Sequence, residues 1–357
     1  MASLLPLERK SIFFPFKFSI LLFFFTVFCT PAVSKESSLS IKGIWVSDPT
    51  LYEWETVITR IKKIGITDIF VNFASAGVAF YPSKYLPVKQ PKDSLENLVR
   101  VSHEAGIRVH AKILTFFMHW APPEQIKKMI RRGRCLKNLK GKIQYQAQTP
   151  WLDPSQQENR ELVQDIIREV LEQFNVDGIQ LDYIRFYEEK KVPRTITRIR
   201  KNILNNFVKD ISILIKQKEP AIALSACVFY DLYRAKKEMA QDWETWAKKG
   251  IFSFLVPMNY TLKLESLYQW LNTQTRILGE TSTPFYSGLA AYLPGMTPTH
   301  LYKEIKLVES FHVPGYILFG YTDDFAKTMI KPLSRQEELL SPHPIPSGKK
   351  ERKKKKT

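Results

Sequence analysis

The sequence predicts a closed α/β barrel of eight parallel strands. Three observations carry this expectation. Eight strand-like segments alternate with amphipathic helical runs across roughly 300 residues. Proline and glycine punctuate the junctions where helices would begin and end. No GxGxxG or Walker loop marks a nucleotide-binding sheet, which leaves a doubly wound open sheet as the runner-up.

Taken in order, the expected strands are Lys42–Ser47, Asp68–Ala74, Ile107–Phe116, Asp177–Phe186, Ile222–Phe229, Phe252–Tyr260, Phe285–Ala290 and Tyr316–Tyr321. Between them lie helical faces with apolar residues three and four apart. Leu51, Trp54, Ile58, Ile61 and Ile64 form the first, Leu162, Ile166, Val170 and Phe174 another, and Ile196, Ile199, Ile203, Phe207 and Ile211 a third. Asp48-Pro49, Asp153-Pro154 and Thr297-Pro298 each place a capping oxygen before a proline suited to the first helical position. Gly65, Gly106 and Gly250 are expected to close helices just before the next strand.

With 44% hydrophobic and 25% charged residues, the 357-residue chain can bury a full core, which excludes disorder and a disulfide scaffold. Its net charge of +18 is uneven: the tail from Lys349 to Lys356 holds +6 and the first 34 residues +2, leaving +10 for the body. So basic a body favours anionic partners, and charge alone does not choose among an envelope polymer, a membrane face and nucleic acid.

Residues 1–34 read as an export signal. Arg9, Lys10 and Lys17 precede the apolar run Phe18–Phe28, and small residues follow at Thr30, Ala32 and Ser34. As a helix that run would span about 16 Å, half of a bilayer core, so cleavage after Ala32 or Ser34 is expected, with an uncleaved membrane anchor as the alternative. The barrel is expected over 41–335, and 340–357 as a disordered basic tail in peripheral contact with an anionic membrane or polymer. Cys135 and Cys227 then remain; two cysteines make no framework, and Cys227 in an apolar strand reads as core.

In such a barrel the reactive groups stand at the C-terminal ends of strands. The fourth strand, Val-Asp-Gly-Ile-Gln-Leu-Asp-Tyr-Ile-Arg-Phe, is the most telling, because period-two alternation turns Ile179 and Leu181 outward and Gln180 and Asp182 into the barrel. A carboxylate buried there must work or be paired, and Arg185 is the partner nearest in sequence. Other mouth candidates are Trp45, as an aromatic platform, Asn72 and Asn259, as hydrogen-bonding amides, His110 and Tyr260, each equally readable as barrel packing. His110 and His119 form no His-x-His pair, so no metal or other cofactor is expected. Lys112 permits a Schiff-base reading, which an exported chain with no phosphate-binding glycine loop disfavours.

These residues carry a resemblance. The stretch Trp151–Phe186, with Ile-Lys-Gly-Ile-Trp-Val-Ser from Ile41, Gln241-Asp242-Trp243 with Trp246, and Val-Pro-Met-Asn-Tyr-Thr from Val256, resembles the bacterial glycosyl hydrolase-like TIM barrels of the family 10 type, over about residues 41–330. The resemblance implies a (β/α)8 fold and hydrolysis of glycosidic bonds in a bacterial envelope polysaccharide, with a silent glycan-binding barrel as the rival. Such hydrolysis ordinarily uses two carboxyl groups. Asp182 is expected as the ionised one. Asp242, in the family-like Gln-Asp-Trp motif beside a stacking Trp243, is expected as the second unless it merely caps the following helix; Asp231, Asp323 and Asp324 are alternatives.

The insertion after the third strand holds Lys127, Lys128, Arg131, Arg132, Arg134, Lys137, Lys140 and Lys142. It reads as a basic flap that steers an anionic glycan, or as a solvated helical face. The partner expected is thus a polysaccharide rather than nucleic acid.

Overall fold

The computed structural model describes residues 40–335; the expected signal at 1–34 and tail at 340–357 lie outside the described residues. In chain order the strands are β1 (Lys42–Val46), β2 (Asp68–Ser75), β3 (Val78–Ala79), β4 (Arg108–Leu114), β5 (Tyr145–Gln146), β6 (Thr149–Pro150), β7 (Gly178–Asp182), β8 (Ala223–Phe229), β9 (Phe254–Met258), β10 (Ser287–Ala290) and β11 (Tyr316–Phe319). The α-helices are α1 (Trp54–Lys62), α2 (Leu95–Glu104), α3 (Pro123–Arg131), α4 (Gln157–Gln173), α5 (Arg194–Lys218), α6 (Leu232–Glu238), α7 (Trp243–Lys248), α8 (Leu264–Leu278), α9 (Pro298–Ser310), α10 (Asp323–Thr328) and α11 (Ile330–Leu333).

Eight strands run parallel in the order β1, β11, β10, β9, β8, β7, β4, β2. β1 pairs with β11, Lys42 facing Tyr316, and also with β2, Gly43 facing Asp68, so the sheet closes on itself and the open-sheet alternative is excluded. All eight expected strands are present, seven of them trimmed at one or both ends and the second extended by one residue to Ser75. The fourth ends at Asp182 rather than Phe186, because Tyr183 takes a φ of +55° that no strand accommodates.

Alternation divides the apolar residues into two shells. Ile41, Trp45, Phe70, Cys227, Phe254, Val256, Tyr286 and Ile317 fill the barrel, while Ile44, Ile69, Ile179 and Leu181 turn outward into the larger cluster under the helices. Gly178 is required by this packing: a Cβ there would collide with the His110 ring and with the Ala223 carbonyl.

The junctions follow their chemistry in part. Thr297 accepts from the His300 amide and opens α9, and Gly65, Gly106 and Gly250 take φ of +72°, +73° and +58°. Asp48 accepts from the Thr50 amide but caps only a single 3-10 turn, Pro49–Leu51, so α1 begins at Trp54 without a side-chain cap and Leu51, expected on its apolar face, lies outside the helix and is exposed. Asp153, however, closes a turn by accepting from the Ser155 amide at 2.8 Å, and α4 begins only at Gln157 with no side-chain cap. Ile199, expected on a buried face, is 57% exposed; α5 first buries its stripe at Leu204. The insertion after β4 folds into α3 and the β5–β6 hairpin, anchored by bridges from Phe117 to Trp151 and from Cys135 to Leu152. Among the described residues no helix is long and apolar enough to cross a membrane.

Candidate active site

At the C-terminal end of β7 the chain turns left-handed at Tyr183, and that turn points the Tyr183 amide back at Asp182, which accepts its hydrogen bond through Oδ1 at 2.7 Å. The other oxygen meets Lys112 Nζ at 2.8 Å, with 9% of the Asp182 side chain and 6% of the Lys112 side chain exposed. Register explains the meeting. Lys112 lies opposite Gln180 and Leu114 opposite Asp182, so an inward lysine from β4 need climb only one layer to reach the carboxylate. Burial alone would lower the Lys112 ammonium, but the charge and hydrogen bond of Asp182 outweigh it and raise it overall. Lys112 therefore stays charged at neutral pH, which fits the weak standing of a Schiff-base role.

The partner of Asp182 is thus Lys112, not the expected Arg185. The Arg185 guanidinium lies over the Trp151 ring at 4.7 Å and donates to the Phe186 carbonyl at 3.3 Å. Lys112 was legible as an inward residue by the same alternation that picked Asp182; what the sequence lacks is the register that joins them.

Beneath the pair, Trp45 donates to Gln180 at 2.5 Å, and Lys112 Nζ stands 5.7 Å above the Trp45 ring and 5.4 Å from that of Phe319. Trp45 and Gln180 are fully buried, so Trp45 forms the floor of the site and offers no open sugar platform. Asn72, level with Lys112 within β2, donates to the Ser47 carbonyl, while its Oδ1 is buried with no partner, leaving an acceptor unused. Tyr260, half-buried, stacks on Phe319 at 5.7 Å beside the half-exposed Tyr292. Burial, with Cys227 and Asp182 nearby, pushes its phenol well above the ordinary value and keeps it a proton-bearing donor. Cys227 is core, as expected: it is buried, and burial raises its thiol.

Three expected mouth residues are turned elsewhere. Asn259 exchanges hydrogen bonds with Gln274 at 3.0 and 2.8 Å and donates to Ser287, so its amide is spent on docking α8. His110, only two residues into β4, sits in the bottom layer, bonded to Asp68 at 2.9 Å and stacked on Phe70 at 4.2 Å. There it lines a cavity of about 740 Å³ with Asp68, Arg108, Phe254 and Tyr286, at the barrel end opposite Asp182. Trp243 is fully buried and donates to the Phe229 carbonyl, leaving no face for a sugar.

Asp242 precedes α7 but makes no capping hydrogen bond; its carboxylate lies 3.3 Å from Lys236 and 3.5 Å from Lys201. Asp231 caps α6, and Asp323 and Asp324 open α10. Among the described residues no second carboxylate is hydrogen-bonded or ion-paired to the Lys112–Asp182 group, and no cluster could hold a metal ion.

Residues 40–198 match the family model described as Glycosyl hydrolase-like 10. The chain is 21% identical to the Glycosyl hydrolase DigH of Escherichia coli K12, over 74% of this chain and 76% of that protein, and equally so to the Glycosyl hydrolase DigH of Shigella flexneri. Its fold is similar to that of an endo-1,4-beta-mannanase from Rhizomucor miehei (TM-score 0.59, 9% identity, covering 84% of this chain and 95% of that one). An endo-beta-1,4-mannanase from Thermotoga petrophila superposes equally well (TM-score 0.59, 11% identity, 85% and 77%).

Proposed function

We propose that this chain, whose residues 40–198 match the family model Glycosyl hydrolase-like 10, is an exported enzyme of that family that hydrolyses O-glycosidic bonds of a bacterial envelope polysaccharide. The observation that carries the reading is the Asp182 carboxylate, held ion-paired and nearly dry at the C-terminal end of the fourth barrel strand. There an anion can stabilise, or attack, the oxocarbenium-like carbon that forms as the glycosidic bond breaks. Asn72 and Tyr260 are proposed to bind ring hydroxyls, a reading supported by the unpartnered Asn72 Oδ1 and the proton-bearing Tyr260 phenol. The substrate proposed is a peptide-stripped peptidoglycan strand, a carbohydrate whose lactyl carboxylates suit a basic body.

Asp182→Asn tests the assignment: the fold should survive while hydrolysis of stripped strands falls by about two orders of magnitude or more. Near-normal turnover by the folded variant overturns it. Asp242 is proposed as the proton donor, although two lysines hold it. Asp242→Asn should then recover activity on a substrate whose leaving group needs no protonation. Loss of stability with unchanged activity per folded molecule would instead leave Asp242 a lysine-binding brace.

A silent glycan-binding barrel is the second reading, favoured by the engagement of both Asp182 oxygens and by the absence, among the described residues, of a paired carboxylate. Strand affinity without any Asp182-dependent turnover would select it. Export is supported by the sequence of residues 1–34, and mass spectrometry of the native protein should find a mature N-terminus near Val33 or Lys35.

A further inference from the structure

The basic residues of the insertion after β4 do not stand alone. The Leu139 amide donates to Glu189 at 2.9 Å, tying the 137–142 turn to the loop that follows β7. Glu189 is also paired with Arg200, and its neighbour Glu188 with Arg234, so both acids of that loop are neutralised internally. What remains facing solvent on the two tied loops is Lys137, Lys140, Lys142, Lys190, Lys191 and Arg194, all exposed and none with an ion-pair partner among the described residues. No acid interrupts either run. One further contact relates this charge to the mouth. Gln146 of the hairpin reaches the Tyr183 hydroxyl at 3.4 Å, and Tyr183 is the residue after Asp182. Leu139 and Tyr145, 46% exposed each, add apolar faces within the same segment.

We infer that these two loops form one anion-binding strip, leading away from the Asp182 mouth, that takes the acidic stretch of a polysaccharide chain beyond the bond being cleaved. The inference rests on the reading of the mouth as a glycan site. A polyanion is favoured because six unpaired cations repel one another, and bound carboxylates relieve that repulsion within a screening length of about 8 Å at physiological salt. A polysaccharide is favoured over other polyanions because the hairpin that follows the basic turn touches the residue next to Asp182 and exposes Tyr145, a surface on which a pyranose face can lie. One expectation is corrected in the process. Arg134 does not belong to the basic surface: its guanidinium turns inward and donates to Asn159 at 2.7 Å.

The test compares the full chain with two charge-matched variants. One replaces Lys137, Lys140, Lys190 and Arg194 by Gln; the other replaces Lys62, Lys63, Lys216 and Lys249, exposed residues near the C-terminal ends of α1, α5 and α7, by Gln. Binding is measured by co-sedimentation in the cold with peptide-free peptidoglycan strands, and with the same strands after reduction of their carboxylates to alcohols. The strip variant should bind the acidic strands about tenfold more weakly and with a flatter salt dependence, the control variant should not, and all three chains should bind the reduced strands alike. Equal losses in both variants, an equal loss on reduced strands, or no loss at all overturns the proposal. Strip-dependent binding to phosphatidylglycerol vesicles or duplex DNA in place of the strands overturns the polysaccharide assignment. Because the readout is binding, a chain that binds through the strip yet never cleaves refutes the enzymatic reading and not the strip.

Discussion

Lys112 and Asp182 come from neighbouring strands far apart in sequence and meet at 2.8 Å with less than a tenth of either side chain exposed. In so dry a place each charge is tolerable only because of the other. Removing one partner of such a pair costs about 3–5 kcal/mol, since it strands the other charge. Lys112→Met should therefore lower stability by about that amount and Asp182→Asn by a comparable one, while the double variant should lose clearly less than their sum. Urea denaturation of the four proteins measures the coupling; additivity within about 0.5 kcal/mol would show that the two charges do not depend on each other. The residues of the site divide by what determines them. Asp182 was readable because inward direction follows from counting along one strand. Asn259 and Trp243 were misread because their directions are set by what packs against them, Gln274 from α8 and the Phe229 carbonyl at the end of β8.

At the scale of an element, α9 carries an unusual burden. Glu304 is fully buried on it with neither carboxylate oxygen hydrogen-bonded, and its nearest cationic candidate, His300, is 3.4 Å away. Burial pushes its carboxyl up to about 8. The folded chain thus keeps this proton up to about pH 8, whereas the unfolded chain releases it above its ordinary value of 4.5. Between those two values the unfolded state binds fewer protons, so stability falls as pH rises, and it levels off above the folded value. Glu304→Gln should abolish that slope and make the protein more stable at pH 8 by about 4 kcal/mol, read as a flatter plot of unfolding free energy against pH from 5 to 9. An unchanged slope would mean that Glu304 is ionised in the fold. The helix itself was foreseeable from Thr297-Pro298, whose cap forms as expected, but nothing in the spacing of α9 marks Glu304 as its inward acid.

At the scale of the whole molecule the chain is a charged barrel, and its tail is its most basic part. Deleting residues 340–357 lowers the net charge from +18 to +12. That truncation should leave the melting temperature and turnover of a small neutral substrate unchanged while shortening retention on an anionic matrix. A loss of turnover would give the tail a part in the site. The sequence by itself determined the alternation of strand and helix, the placing of the turns, and the inward station of Asp182 and Gln180, because each follows from local periodicity and backbone preference. Closure of the barrel was decided by the pairing of β1 with β11, across nearly the whole domain. In the same way, strand register gave Asp182 its lysine and His110 its Asp68 partner, and a loop-to-loop hydrogen bond tied the two basic loops together through Glu189. The physical reason is common to all of these: direction along a strand is a property of neighbours in sequence, whereas the partner at the end of a side chain is a property of neighbours in space.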